Sequence, residues 1–256
     1  MTTPITRYVR YSAKGKACYG ILDGETIREL KGNFLQEVVP TGNTVALGPS
    51  GEVRLLAPCE PSKVIAIGRN YKSHLGDRTP LLYPGVFIKL PSCIIATGEA
   101  IVIPEGATDV HHEAELVIVI GKTAHRVSKE DAPNYIFGIT AGNDISERVW
   151  QKSDVQWFRA KASDTFGPLG PAIVQGLDYN DLLVECRVNG EVRQSQRTCD
   201  LLFPVDTIVS YISQYVTLLP GDVIYTGTPG QTRAMQPGDI AEVEIEGIGI
   251  LRNPVR

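Results

Sequence analysis

His111-His112-Glu113-Ala114-Glu115-Leu116-Val117-Ile118-Val119-Ile120 is the stretch on which the fold turns. Side chains along a strand alternate between its faces, so Glu113 and Glu115 share one face with Val117 and Val119. Ala114, Leu116 and Ile118 fill the other. From Leu116 onward both faces are apolar, which is the pattern of a strand entering a sheet covered on both sides. Two carboxylates stand at its mouth one pleat apart, with Cα atoms about 6.5–7 Å from each other. They repel each other unless they converge on one cation. A solvated strand end accounts for the pattern equally well.

Outward from this stretch, short strand-like runs separated by Gly, Pro and Asn dominate the chain. On the N-terminal side, 5–12 and 17–22 alternate as a hairpin or meander, and Thr26 to Leu30 adds a further strand. The turn formers of 40–50 (PTGNTVALGPS) read as a linker. Residues 1–57 are therefore set apart as a small β-rich module, and 58–256 as the main domain. In the latter, strands are expected at 63–68, 86–90, 112–121, 136–144, 182–188, 191–195, 222–226, 239–245 and 248–252. Asn189-Gly190 marks a hairpin, because both residues tolerate positive φ. Helices are few: one at 204–217 with Pro204 near its first turn, and a shorter one from Ser128 with Asp131 as capping partner.

Composition excludes several classes of function. Of 256 residues, 43% are hydrophobic and 21% charged, and the net charge is −4, with no basic block to hold nucleic acid or an anionic membrane. Five scattered cysteines (Cys18, Cys59, Cys93, Cys186, Cys199) form neither a disulfide framework nor a zinc knuckle and are expected to be reduced. With no signal-like N-terminus and no apolar run of ~18–20 residues, a cytoplasmic protein is expected. Three suggestive motifs fail. Gly121-Lys122-Thr123 lacks the earlier glycine of a phosphate loop, since Leu116 stands there. Gly247 and Gly249 meet Arg252 where a dinucleotide fingerprint needs glycine. His112-Glu113 finds Leu116 in place of the second histidine of a zinc protease.

A third acid, Asp144, ends the apolar run from Tyr135, where it also suits a helix cap for 146–153. Three carboxylates without cysteine suit a hard cation, Mg²⁺ or Mn²⁺, with Ca²⁺ as a substitute in crystals. His74 and Asp77 stand at i, i+3. On a helical turn the carboxylate would orient the imidazole as a general base toward water.

Five ordered motifs now stand together: Gly68-Arg69-Asn70-Tyr71-x-x-His74, His112-Glu113-x-Glu115-Leu116, Gly142-Asn143-Asp144-x-Ser146-x-Arg148, Lys161-x-x-Asp164-Thr165-Phe166-x-Pro168-Leu169-Gly170-Pro171 and Gly221-Asp222-Val223-Ile224-x-Thr226-Gly227-Thr228-Pro229. From about residue 60 to 253 the chain resembles the fumarylacetoacetate hydrolase superfamily, and 1–57 resembles the small N-terminal module of some bacterial members. The resemblance implies a mainly β fold with a few helices, a mixed β-sandwich roll, in a homodimer. It also implies roles. Glu113, Glu115 and Asp144 match metal ligands, and Lys161 matches a lysine that steadies substrate oxygens. Arg69, Tyr71, Arg148, Gln151 and Thr228 match substrate-contacting positions, and His74 matches the water-activating histidine. Asp77 stands where Glu is usual, and Gln231-Thr232 stands where many members carry a Gly-Val-Gly run.

The expected reaction is metal-dependent hydrolysis of a C–C bond in a small 2,4-dioxo acid, with His74 and Asp77 activating water. Decarboxylation of an oxaloacetate-like acid and isomerisation of a 2-hydroxy-dienoate are the alternatives on the same site. A metal-binding protein without catalysis is the alternative of another class.

Overall fold

The computed structural model describes residues 4–48 and 52–256. Five strands lie in the first 55 residues: β1 (Thr6–Ala13), β2 (Lys16–Asp23), β3 (Thr26–Leu30), β4 (Pro40–Ala46) and β5 (Val53–Leu55). Next come β6 (Val64–Gly68), β7 (Gly85–Lys89), β8 (Ile94–Ile95), β9 (Val110–His111), β10 (Ala114–Ile120), β11 (Ile136–Asn143) and β12 (Ser146–Glu147). Two short helices, α1 (Arg148–Ser153) and α2 (Phe158–Ala162), precede β13 (Gly167–Gln175), β14 (Leu183–Val188) and β15 (Glu191–Arg197). Helix α3 (Val205–Ser213), β16 (Val223–Tyr225), β17 (Ile240–Ile245) and β18 (Gly249–Pro254) complete the chain. The chain is mostly β, as expected.

The main sheet runs β4-β3-β2-β1-β13-β11-β10-β16-β6-β7, and a second sheet runs β15-β14-β17-β18. Strand β10 lies inside the main sheet, antiparallel to both β11 and β16, and all seven of its residues are buried. Its alternation feeds two different cores. Leu116, Ile118 and Ile120 pack with α3 and the second sheet around Val205, Ile208, Val184 and Val243. Val117 and Val119 pack on the opposite face with Tyr8, Phe34, Leu169 and Tyr225. At about 1.5–3 kcal/mol for each large aliphatic side chain removed from water, this one strand fixes the layer order and the register of its neighbours.

The N-terminal strands extend the same sheet through β1, which pairs antiparallel with β13 at Thr6↔Gln175 and Tyr8↔Ile173. The linker expected over 40–50 is instead strand β4 as far as Ala46, paired with β3; residues 49 and 50 lie outside the described residues. Its side chains are almost all exposed, and an edge strand in water accommodates the Gly, Asn and Thr that read as turn formers. The hairpin at Asn189-Gly190 joins β14 to β15 with φ of 53° and 80°. Helix α3 is shorter than expected: Pro204 caps it, and the chain leaves it at Gln214. Ser128 and Asp131 do form reciprocal hydrogen bonds, but with Pro133 following only a single 3₁₀ turn, Ala132–Tyr135, is made.

Candidate metal centre and active-site cavity

The register of β10 against β11 brings the three acids together. Ala114 pairs with Asn143, so Glu113 and Asp144 fall opposite each other just beyond the ladder. There the Asp144 amide donates to the Glu113 carbonyl (2.9 Å), and the Glu113 amide donates to Asn143 Oδ1 (2.8 Å). Asp144 is not the helix cap that its position allowed. Glu147 has that part, accepting from the Trp150 amide at the start of α1. One carboxylate oxygen from each of Glu113, Glu115 and Asp144 lies within 4.8 Å of the others, and all three residues are buried.

Cations compensate two of these acids. Lys161 Nζ, on α2, donates to Glu113 Oε2 (2.7 Å) and Asp144 Oδ2 (2.5 Å). Arg148 Nη2 donates to Glu113 Oε1 (2.6 Å) and Lys89 Nζ to Asp144 Oδ1 (2.7 Å). Despite its burial, Glu113 is therefore held well below the usual carboxylate range by Lys161 and Arg148, and Lys161 keeps its proton more tightly than an ordinary lysine. Glu115 differs. It accepts from the Gly227 amide (2.7 Å), and among the described residues no basic side chain pairs with it. Burial, and then the charges of Asp144 and Glu113, push its carboxyl well above the usual range. An all-oxygen donor set with one uncompensated buried carboxylate fits a hard divalent cation.

The turn after β16 carries this contact. Gly227 has φ +103°, and a Cβ there would stand 2.6 Å from the Asn70 Cβ, so only glycine brings its amide to Glu115. Asn70 fixes the facing segment, donating to the Thr226 carbonyl (2.8 Å) and the Phe203 carbonyl (3.0 Å) and accepting from the Phe203 amide (2.7 Å).

A cavity of about 400 Å³ opens onto this cluster, and Arg69, His74, Glu113, Glu115, Arg148, Gln151, Lys161 and Thr228 are among its walls. Phe87 and Trp157, in edge contact at 5.2 Å, give it an apolar side, and Lys161 Nζ lies 5.0 Å from the Phe87 ring centre. Gln151 accepts from Arg148 Nη1 (2.9 Å), which fixes the guanidinium against Glu113. The Thr228 hydroxyl turns inward, donating to the Ala114 carbonyl (2.9 Å) and accepting from Gln194 (2.8 Å). Tyr71 is packed in the interior, 1% exposed, and is not among the residues lining the cavity.

His74 meets the cavity, but not with the partner expected. Its Nδ1 lies 2.5 Å from the Gly230 carbonyl and its Nε2 3.9 Å from Glu113 Oε1. Asp77 is exposed and makes no hydrogen bond to the imidazole. The i, i+3 argument needs a continuing helix. The 3₁₀ turn Lys72–His74 stops at the histidine, and Gly76, at φ +59°, turns the chain away. A carbonyl can only accept, so Nδ1 carries a proton and Nε2 is the nitrogen that faces the cavity.

Phe87 and Trp157 were absent from the sequence reading, and so were Lys89, Gln194 and Arg78. Lys89 is fully buried and also donates to the Lys161 carbonyl. Gln194, on β15, accepts from the Ala114 amide and from His112 Nδ1 (each 3.1 Å). Burial brings the His112 pKa down to about 4, so this imidazole is neutral and serves as a packed donor. Arg78 lies on the cavity wall beyond His74. Gln194 lies far from the acidic motif in sequence and carries no pattern that would have found it.

The family model described as fumarylacetoacetate (FAA) hydrolase C-terminal matches residues 63–256. The chain belongs to the fumarylacetoacetate hydrolase family. A second model, Rv2993c-like N-terminal, matches residues 6–58. Family members similar to this chain carry different reactions in their names. A 5-carboxymethyl-2-hydroxymuconate delta-isomerase from Mycobacterium smegmatis is 42% identical, with a TM-score of 0.91 over 97% of this chain and 98% of its own. A mitochondrial oxaloacetate tautomerase from Rattus norvegicus is 37% identical over 81% of this chain and 71% of its own length. A fumarylacetoacetate hydrolase from Exiguobacterium antarcticum is 34% identical, with a TM-score of 0.88 over 98% and 99% of the two chains. This family is enzymatic. No helix among the described residues is long and apolar enough to cross a membrane.

Proposed function

We propose that this chain is a cytoplasmic isomerase that moves a proton within a small 2-oxo acid, in the manner of a keto–enol tautomerase. The observation that carries the reading is His74: Nε2 stands free at the cavity while Nδ1 is held by a backbone carbonyl rather than a carboxylate. Glu113, Glu115 and Asp144 would hold Mg²⁺ or Mn²⁺, which when bound supplies positive charge against the oxygens of a 2-oxo acid. Lys161, kept charged by the acids around it, offers a donor beside the same oxygens. His74 Nε2 takes a proton from the carbon next to the oxo group and returns one to the substrate at oxygen, or further along a conjugated chain. The Phe87 and Trp157 rings limit water on one side. No step in this sequence needs an activated water.

Hydrolysis of an acylpyruvate, favoured by the sequence, is the second reading, and the 34% identical fumarylacetoacetate hydrolase supports it. Hydrolysis by the His74–Asp77 pair that the sequence suggests would need Asp77 to displace the Gly230 carbonyl at His74 Nδ1. The test is a parallel assay of wild type, His74→Ala and Asp77→Asn with Mg²⁺ or Mn²⁺. Keto–enol conversion of oxaloacetate, its decarboxylation, and acylpyruvate cleavage are each followed. Tautomerisation lost in His74→Ala by about 10²–10⁴-fold and kept in Asp77→Asn is the expected result. Acylpyruvate cleavage that fails in both variants, with no tautomerisation in the wild type, would replace this proposal with hydrolysis.

A further inference from the structure

Gln194 is the one buried side chain of β15, and its carboxamide is occupied at both ends. Oε1 accepts from the Ala114 amide and from His112 Nδ1, while Nε2 donates to the Thr228 hydroxyl (2.8 Å) and the Pro229 carbonyl (2.6 Å). A carboxamide has two N–H donors and two lone pairs, so none is left over. Its orientation is fixed as well, because the Ala114 amide can only donate and the Pro229 carbonyl can only accept. Ala114 stands between Glu113 and Glu115, and Pro229 directly precedes Gly230, whose carbonyl holds His74 Nδ1. One buried side chain thus ties the strand that carries the acids to the turn that holds the imidazole.

The peptide group joining Pro229 to Gly230 is gripped on both edges. Gln194 takes its carbonyl, and Ser73 Oγ accepts from its N–H (2.9 Å). Ser73 in turn donates to Gln196 Oε1 (2.5 Å), and Gln196 shares a face of β15 with Gln194, two residues away. We infer that β15 positions the base: Gln194, with Gln196 acting through Ser73, fixes this peptide so that the Gly230 carbonyl keeps the proton on His74 Nδ1 and leaves Nε2 bare toward the acids. The inference rests on the reading of His74 as the group that moves the substrate's proton. Neither glutamine is among the residues lining the cavity, so both are positioning residues. A neutral imidazole carries a single N–H, and the partner of each nitrogen decides where it sits. A peptide free to turn would take the carbonyl away from Nδ1. The proton then distributes over both nitrogens, and an imidazole with Nε2–H cannot accept a proton there.

The test is nitrogen-15 NMR of the imidazoles in the Mg²⁺-loaded protein at about pH 8, above the ordinary imidazole range, beside steady-state tautomerisation of oxaloacetate. The chain has four histidines, so the His74 signals are assigned by their loss in His74→Ala. Three variants are compared with the wild type. Gln194→Met keeps the length of the side chain and removes all four bonds. Ser73→Ala, at an exposed position, releases the other edge of the peptide and leaves the core intact even if Gln194→Met does not fold. Ser73→Thr retains the hydroxyl. The wild type is expected to show His74 protonated on Nδ1 alone, and Gln194→Met and Ser73→Ala to show both tautomers. Their kcat should fall by about ten- to a hundredfold with KM nearly unchanged, the scale on which a misplaced catalytic group acts. Ser73→Thr should restore the single tautomer and the rate. A wild-type His74 protonated on Nε2, or a single Nδ1–H tautomer persisting in Ser73→Ala and in folded Gln194→Met, overturns the inference, even where kcat has fallen. A wild type inactive on oxaloacetate, whose His74 tautomer still depends on Ser73 and Gln194, removes the isomerase reading and leaves the positioning by β15 standing.

Discussion

Replacing Lys89 by methionine tests how far the acidic cluster depends on its own cations. The side chain is fully buried, its Nζ 2.7 Å from Asp144 Oδ1 and bonded also to the Lys161 carbonyl. Methionine fills the space and removes both donors. Breaking a buried ion pair from one side costs about 3–5 kcal/mol, because the remaining charge stays desolvated. Asp144 keeps Lys161 on its other oxygen, so the lower end, about 3 kcal/mol, is the expected loss in EDTA. At about 2–4 °C per kcal/mol for a domain of this size, Tm should fall by about 6–12 °C. Thermal melts and urea titrations in EDTA measure it directly. Saturating Mg²⁺ should recover part of the difference, since a dication would compensate Asp144 from the other side. In an Asp144→Asn background the same substitution should cost clearly less. A fall of under about 2 °C in EDTA would refute the reasoning, and would mean that the Lys89–Asp144 pair carries no net stability.

Three further outcomes are expected. Glu115 holds its proton more tightly in the folded apoprotein than in the unfolded chain, so apoprotein stability should fall as pH rises above the ordinary carboxylate value of 4.5 and through the raised one. Cation binding needs the ionised form, so the Tm gain from Mg²⁺ should grow as pH rises above the ordinary carboxylate value of 4.5; a gain that is flat with pH would contradict this. Gly142→Ala places a Cβ 2.4 Å from the Tyr225 ring and 2.5 Å from Val117, and should cost about 1–3 kcal/mol in urea unfolding; an unchanged midpoint would contradict it. Strand β7 ends the main sheet with Val86 and Ile88 exposed, beside Leu90 just after it and Phe158, so a homodimer is expected, and light scattering at the 27.9 kDa of one chain would deny it.

The acidic cluster was legible because alternation along one strand says which side chains share a face, and Glu113 and Glu115 obeyed it at the mouth of a strand buried on both sides. Asp144 was legible as an acid ending an apolar run, but its place opposite Glu113 depends on the β10–β11 register, a long-range fact. Lys89 was hidden by its own strand. In Val86-Phe87-Ile88-Lys89 the aliphatic residues face outward and the lysine inward, the reverse of what hydrophobicity suggests. The His74–Asp77 pairing came from helical spacing applied to a single turn that a left-handed glycine ends. The N-terminal strands were legible as strands, but their merger with the main sheet through β1 and β13 is a pairing that no local pattern records.

Asn70 divides the segment after β6 into a part fixed to the sheet and a part that lies on the surface. Upstream, the chain is bound to the sheet and to Gly227, where a side chain as small as alanine's would collide. Downstream, from Lys72 to Pro84, most residues are exposed, and the stretch meets the body through Ser73 with Gln196, His74 with Gly230, and Tyr83 stacked near Tyr211. A substitution in that outer stretch can alter what the cavity accepts without disturbing the acids or the core beneath them. Ten surface positions therefore border the cavity's mouth without taking part in the core.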